Sequence, residues 1–166
     1  MPQLQDFEGA WRISRRIDDR RGPAARFDGT AVFSPVAGGL FYRETGLLCI
    51  SGGGSYQAGR CYLWRSGPAG TIVVDHADGR AFHSFCPGRE DARHLCGADD
   101  YRVRYDFGDW PRWRAEWRVL GPRKDYLMIS HYRPEGQGAD EGGDAGADAG
   151  AETGNAAEDR GAPDQR

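Results

Sequence analysis

The chain has 166 residues, 39% of them hydrophobic, with 25 glycines and four cysteines, which is enough for one ordinary domain and too little for two. No run approaches the roughly 18 consecutive apolar residues that span a bilayer, and the opening MPQLQDFEGAW lacks the basic start and apolar core of a secretory leader. Cys49, Cys61, Cys86 and Cys96 include no CxxC pair, so neither a metal site nor a thioredoxin-like site is expected, and free thiols point to a cytoplasmic, bacterial or organellar, protein.

In chain order, Pro2 to Phe7 reads as a short helical lead-in. Trp11, Ile13 and Ile17 then alternate with Arg12, Ser14 and Arg16, a strand that ends at the turn DDRRGP. Strands follow over 26–34, 39–49, 56–65 and 71–75, separated by Pro35, by Gly52-Gly53-Gly54 and by Gly67-Pro68. Shorter ones fit 81–86 and 90–97, on either side of Pro87-Gly88. The strictest alternation comes next: Tyr101, Val103, Tyr105 and Phe107 against Arg102, Arg104 and Asp106, then Trp113, Ala115, Trp117 and Val119 against Arg114, Glu116 and Arg118. Gly108 to Arg112 joins this pair as a hairpin, and a last strand over 124–133 follows Gly121-Pro122.

About ten strands with turn signals every 8–12 residues predict an all-β protein. The expected architecture is a single antiparallel up-and-down barrel, because closure removes the edges that a long meander exposes. Its short turns disfavour the rival β-sandwich. From Glu135 onward the chain holds no aromatic residue and no aliphatic one larger than alanine, and such a segment cannot bury enough surface to offset the entropy of ordering. The expected division is therefore a barrel domain over 1–134 and a disordered, acidic Gly/Ala-rich tail over 135–166. The first part carries 20 basic and 16 acidic residues, the second 2 and 9.

Gly9-Ala10-Trp11 resembles the Gly-x-Trp signature that opens the barrel of the lipocalins and their calycin relatives. That resemblance implies a tryptophan at the barrel base with an arginine of the last strand, Arg133, packed across its ring. YLWR (62–65), ADGRAFHSF (77–85), HLCGADDYRVRYDF (94–107) and GPRKDY (121–126) are together similar to a bacterial family, domain of unknown function 6314. The likeness implies one domain ending near Pro134 and no particular activity.

A barrel of eight to ten strands has room for one small ligand. Tyr62, Trp64, Tyr101, Tyr105, Trp113 and Trp117 share strand faces, and if those faces look inward the rings wall an apolar pocket; otherwise they fill the core. His83 and His94, on neighbouring strands, are either a polar element of that pocket or hydrogen-bonded packing residues. Lys124, the single lysine, lies beside Asp125 and Tyr126, which favours an anion contact or a plain salt bridge over a nucleophile. Arg102, Arg104, Arg114 and Arg118 read as a solvated wall, not a nucleic-acid surface, since Asp106 and Glu116 interrupt them. The leading expectation is a barrel holding an apolar or aromatic, anionic ligand, with Tyr62, Trp64, His83, His94, Tyr101, Tyr105, Trp117, Lys124 and Tyr126 as its ligand-binding residues and no cofactor. The alternatives are an enzyme using His83 or His94 as general acid or base in the same cavity, and a protein-interaction module acting through its outer surface and tail.

Overall fold

Period-two alternation forces one face of each segment inward, and all ten segments are strands. The computed structural model describes residues 1–89 and 92–136. Its strands are β1 (Gly9–Asp19), β2 (Ala25–Val36), β3 (Gly39–Ile50), β4 (Ser55–Ser66), β5 (Ile72–His76), β6 (Ala81–Phe85), β7 (Ala92–Cys96), β8 (Asp99–Asp106), β9 (Trp113–Leu120) and β10 (Asp125–Pro134). The expected tail, from residue 137 onward, lies outside the described residues.

The strands form one antiparallel sheet in the order β6-β5-β4-β3-β2-β1-β10-β9-β8-β7. The first and last strands meet in a long ladder from Trp11↔Pro134 to Asp19↔Tyr126, so β1 and β10 sit mid-sheet and the sheet edges fall at β6 and β7. These two five-residue strands share no ladder among the described residues. Side chains close the gap instead: Phe82 of β6 meets His94 of β7 at 5.4 Å between rings, and His83 of β6 reaches Tyr105 of β8. The result is a nearly closed barrel, as expected from the sequence.

One end is plugged from below. The lead-in is a 3-10 turn, Leu4–Phe7, held by reciprocal bonds between Gln3 and Asp6. It drives Phe7, fully buried, against Phe33, Trp64, Phe107, Trp110 and Trp113. Trp11 fixes this plug by donating its indole N–H to the Phe7 carbonyl at 2.8 Å.

Close approach of β2 and β3 depends on a facing pair of glycines, Gly29↔Gly46. A Cβ on Gly29 would collide with the Thr45 carbonyl oxygen, and one on Gly46 with that of Asp28. The sheet therefore bends where only glycine fits. Gly29 and Ala31 are also small on the inner face of β2, which separates β1 from β3. Arg15 of β1 reaches Glu44 of β3 past them.

Candidate ligand-binding site

Inside the barrel, four strands contribute polar side chains to a buried network that alternation alone places inward. Arg15 shares its face of β1 with Trp11 and Ile13, Glu44 shares its face of β3 with Leu40 and Tyr42, and Arg60 shares its face of β4 with Tyr62 and Trp64. Arg15 holds Glu44 through a two-pronged fork, Nη1–Oε1 at 2.5 Å and Nη2–Oε2 at 2.7 Å. Its Nε donates to Ser130 Oγ at 2.7 Å, across the β1–β10 ladder. Arg60, the register neighbour of Glu44, places Nε 3.1 Å from Oε1. Tyr42 donates its hydroxyl to Oε2 and lies 3.2 Å from the Tyr132 hydroxyl.

Charge and proton states follow from this geometry. Burial alone would raise the Glu44 carboxyl, but Arg15 and Arg60 together with the bonds from Arg15 and Tyr42 hold it down at about 2. Oε2 accepts from Arg15 and Tyr42, and Oε1 accepts from Arg15 and is ion-paired with Arg60. The network contains two guanidinium cations and one carboxylate, so it keeps one positive charge. That surplus sits at Arg60, since Arg15 is consumed by Glu44 and Ser130. Among the described residues, Arg60 Nη1 and Nη2 have no oxygen acceptor; Nη2 has only the Met128 sulfur at 3.9 Å.

Beside this network lies an internal cavity of about 40 Å3 walled by Arg60, Tyr62, Trp64, His83, Tyr105, Trp113 and Trp117, among others. A water needs at least about 10–15 Å3 of such space, so the cavity takes about three small atoms. Three buried nitrogens on its lining residues, Trp64 Nε1, Trp113 Nε1 and His83 Nδ1, have no hydrogen-bond partner among the described residues. The other ring nitrogen of His83 pairs with the Tyr105 hydroxyl at 2.9 Å. Burial, reinforced by His94 and His76, holds the His83 imidazole down at about 3, so it is neutral near pH 7.

A larger hollow of about 540 Å3 lies on the outer wall over β1, β9 and β10, between Arg12, Arg114, Arg133, Asp28, Asp106 and His131. Its charges are of both signs and partly paired across the strands, as in Arg114 Nε–Asp106 at 3.3 Å, and solvent screens them. Among the described residues, the smaller inner cavity has three buried nitrogens without a hydrogen-bond partner on its lining residues and the outer hollow has one, Arg114 Nε, so the inner cavity is the stronger candidate.

Of the residues expected from the sequence, Tyr62, Trp64, His83, Tyr105 and Trp117 line the cavity. The other four stand outside its wall. His94 sits at the seam against Phe82. Lys124, Tyr101 and Tyr126 belong to β8–β10 further along the barrel: Lys124 donates to Tyr101 at 2.7 Å and pairs with Asp99 at 2.9 Å. Asp125, the expected partner of Lys124, is instead bound by Arg118. Arg133 stands opposite Arg12 in register and lines the outer hollow, whereas Trp11 packs inside on Trp110 and Trp113. The expected Arg133–Trp11 stack is thus replaced by an all-aromatic contact. Arg15, Tyr42, Glu44, Arg60 and Tyr132 were missing from the sequence reading.

Among the described residues no group of three or more His, Cys, Asp or Glu is placed to hold a metal, and no helix is long and apolar enough to cross a membrane. The chain is similar in structure to an S-type phycobiliprotein lyase, CPES, from Guillardia theta, at 9% identity over 81% of this chain and 92% of that one, with a TM-score of 0.46. It is also similar to a de novo designed fluorescence-activating β-barrel, at 12% identity over 81% of this chain and 100% of that one, with a TM-score of 0.40. No curated protein matches the sequence. Residues 7–134 match a family of unknown function, DUF6314, and the chain belongs to that family.

Proposed function

We propose that the barrel is a small-molecule-binding protein whose ligand places an anionic group in the internal cavity, against Arg60, and an apolar or aromatic body at the seam between β6 and β7. The observation that carries this reading is the surplus positive charge of the Arg15–Glu44–Arg60 network on the wall of an otherwise aromatic cavity. A buried cation without a full complement of partners is costly, and an anionic ligand supplies the missing partner. Arg60 is suited to the contact because its side chain is 18% exposed and both terminal nitrogens stay clear of oxygen acceptors among the described residues.

Flat rings at the seam suit an aromatic body. Tyr62 stacks on Phe82 at 5.5 Å and 14°, and Phe82 on Trp117 at 5.3 Å and 2°. The cavity is too small for a whole ring, so the body lies among these side chains and the ligand displaces Phe82 or His94 on entry. Among the described residues neither edge strand is tied to the other by a backbone ladder, which makes this the least costly place to open.

Titration of the full chain with benzoate, followed by tryptophan fluorescence, tests the reading. Arg60→Met keeps the length and apolar contacts of the stem and removes the charge. It is expected to weaken benzoate binding by about tenfold or more, the effect of losing one charge-assisted hydrogen bond, with the unfolding transition retained. Equal affinity in Arg60→Met and the parent chain would remove the anion from the proposal.

A further inference from the structure

The cavity wall is dominated by hydrogen-bond donors that its one carboxylate does not meet. Glu44 accepts three hydrogen bonds, two from Arg15 and one from Tyr42, and is ion-paired with Arg60 as well. With the Tyr42 hydroxyl hydrogen committed to Glu44, the Tyr132 hydroxyl donates to Tyr42. Ser130 accepts from Arg15. Beside the Tyr62 hydroxyl, what remains unspent is the Arg60 guanidinium, the indole N–H groups of Trp64 and Trp113, and His83 Nδ1.

The tautomer of His83 follows from counting partners. If Tyr105 donates to Nε2, then Nδ1 carries the hydrogen, and one donor is left over. If Nε2 donates to Tyr105 instead, the phenolic hydrogen and the Nδ1 lone pair are both stranded. Since stranded buried groups each cost free energy, the first arrangement prevails. His83 therefore presents an N–H, and the three orphaned nitrogens are all donors.

These donors are neighbours. The Trp64 and Trp113 rings are 6.4 Å apart, each is 6.3 Å from Tyr105, and Tyr105 is 6.0 Å from His83. We infer that Trp64, Trp113 and His83, with Arg60, form a carboxylate-binding subsite. This rests on the small-molecule reading above and names the head group. A carboxylate is planar, has three non-hydrogen atoms to match a cavity of about 40 Å3, and offers four acceptor positions to donors alone. An amide of the same shape turns one acceptor into a donor and leaves N–H facing N–H. A sulfonate or phosphonate is tetrahedral and has one atom too many.

The test uses the full chain labelled with nitrogen-15 and three probes that share a phenyl ring: benzoate, benzamide and benzenesulfonate. Benzoate is expected to move the Trp64 and Trp113 indole N–H resonances downfield while that of Trp11, already bonded to Phe7, stays in place. Benzamide and benzenesulfonate are expected to bind at least about tenfold more weakly, since a mismatched buried hydrogen bond costs on the order of that factor. Trp64→Phe and Trp113→Phe should each lower benzoate affinity, and the probe series on the parent chain decides the matter if either variant fails to fold. Benzoate that binds in an Arg60-dependent way but leaves both indole signals unmoved would overturn the subsite and spare the wider reading, as would equal affinity for benzenesulfonate. Absence of binding by all three probes at millimolar concentration would overturn both.

Discussion

Glu44 shows how one residue organises the interior. Its carboxylate is 1% exposed and meets donors from β1, β3 and β4, so removing it would leave two buried guanidinium groups without their shared counter-ion, a loss of roughly 3–5 kcal/mol for a broken buried pair. Its folded value of about 2, against an ordinary 4.5, means that its stabilising effect is present above about pH 4.5 and is lost as pH falls toward 2. His83 acts earlier on the same axis. Its imidazole stays neutral in the fold down to about pH 3, while the unfolded chain takes up a proton below about 6.5. Acidification through that window therefore favours unfolding. Chemical denaturation as a function of pH should show stability declining from about pH 6.5, and His83→Gln should reduce that decline by up to about 1.4 kcal/mol per pH unit. His76, lowered by burial and by Arg80, adds in the same direction, so the slope shrinks without vanishing. An unchanged slope in His83→Gln would show that this imidazole does not stay neutral in the fold. Arg15, Glu44 and Arg60 were legible as inward positions from alternation with Trp11, Tyr42 and Trp64. Charged residues are ordinarily assigned outward, and the partners of these three lie 16 to 115 positions away in the chain, which hides them from a reading of the sequence.

At the scale of elements, the strand plan was largely readable. Expected strands at 39–49, 56–65, 113–119 and 124–133 differ from β3, β4, β9 and β10 by at most one residue at either end, because turn glycines and prolines bound them and one face is mostly apolar. The first strand runs longer than its apolar pattern, Gly9–Asp19, since ladders with both β2 and β10 carry its charged end. Closure between specific strands was not readable. Pairing of β1 with β10, and the lack of a β6–β7 ladder among the described residues, depend on how the whole sheet curls. The short edge strands have consequences for dynamics: their backbone amides bond on one side only. Hydrogen exchange should accordingly be faster in Ala81–Phe85 and Ala92–Cys96 than in β1, β2 and β10, and ligand should slow it there. Uniform protection around the barrel would contradict entry at this seam.

For the whole molecule, the interior divides along the barrel axis. The Phe7 plug and its ring of aromatics fill one end, the Arg15–Glu44–Arg60 network and its cavity occupy the middle, and Tyr101, Lys124 and Tyr126 lie in the β8–β10 wall further along. Aromatic density made a lined pocket readable from sequence, yet most of those rings pack on each other and leave space for a head group, not a whole ligand. The central claim is that the space is kept for one. Native mass spectrometry of the full chain isolated from its own host, with release of bound material in organic solvent, tests it most directly. The expected result is a one-to-one adduct that is released as a small aromatic or aliphatic carboxylic acid. A bare chain mass, unchanged when benzoate is supplied, would mean that the buried cations and orphaned donors are features of the core and that the barrel carries nothing.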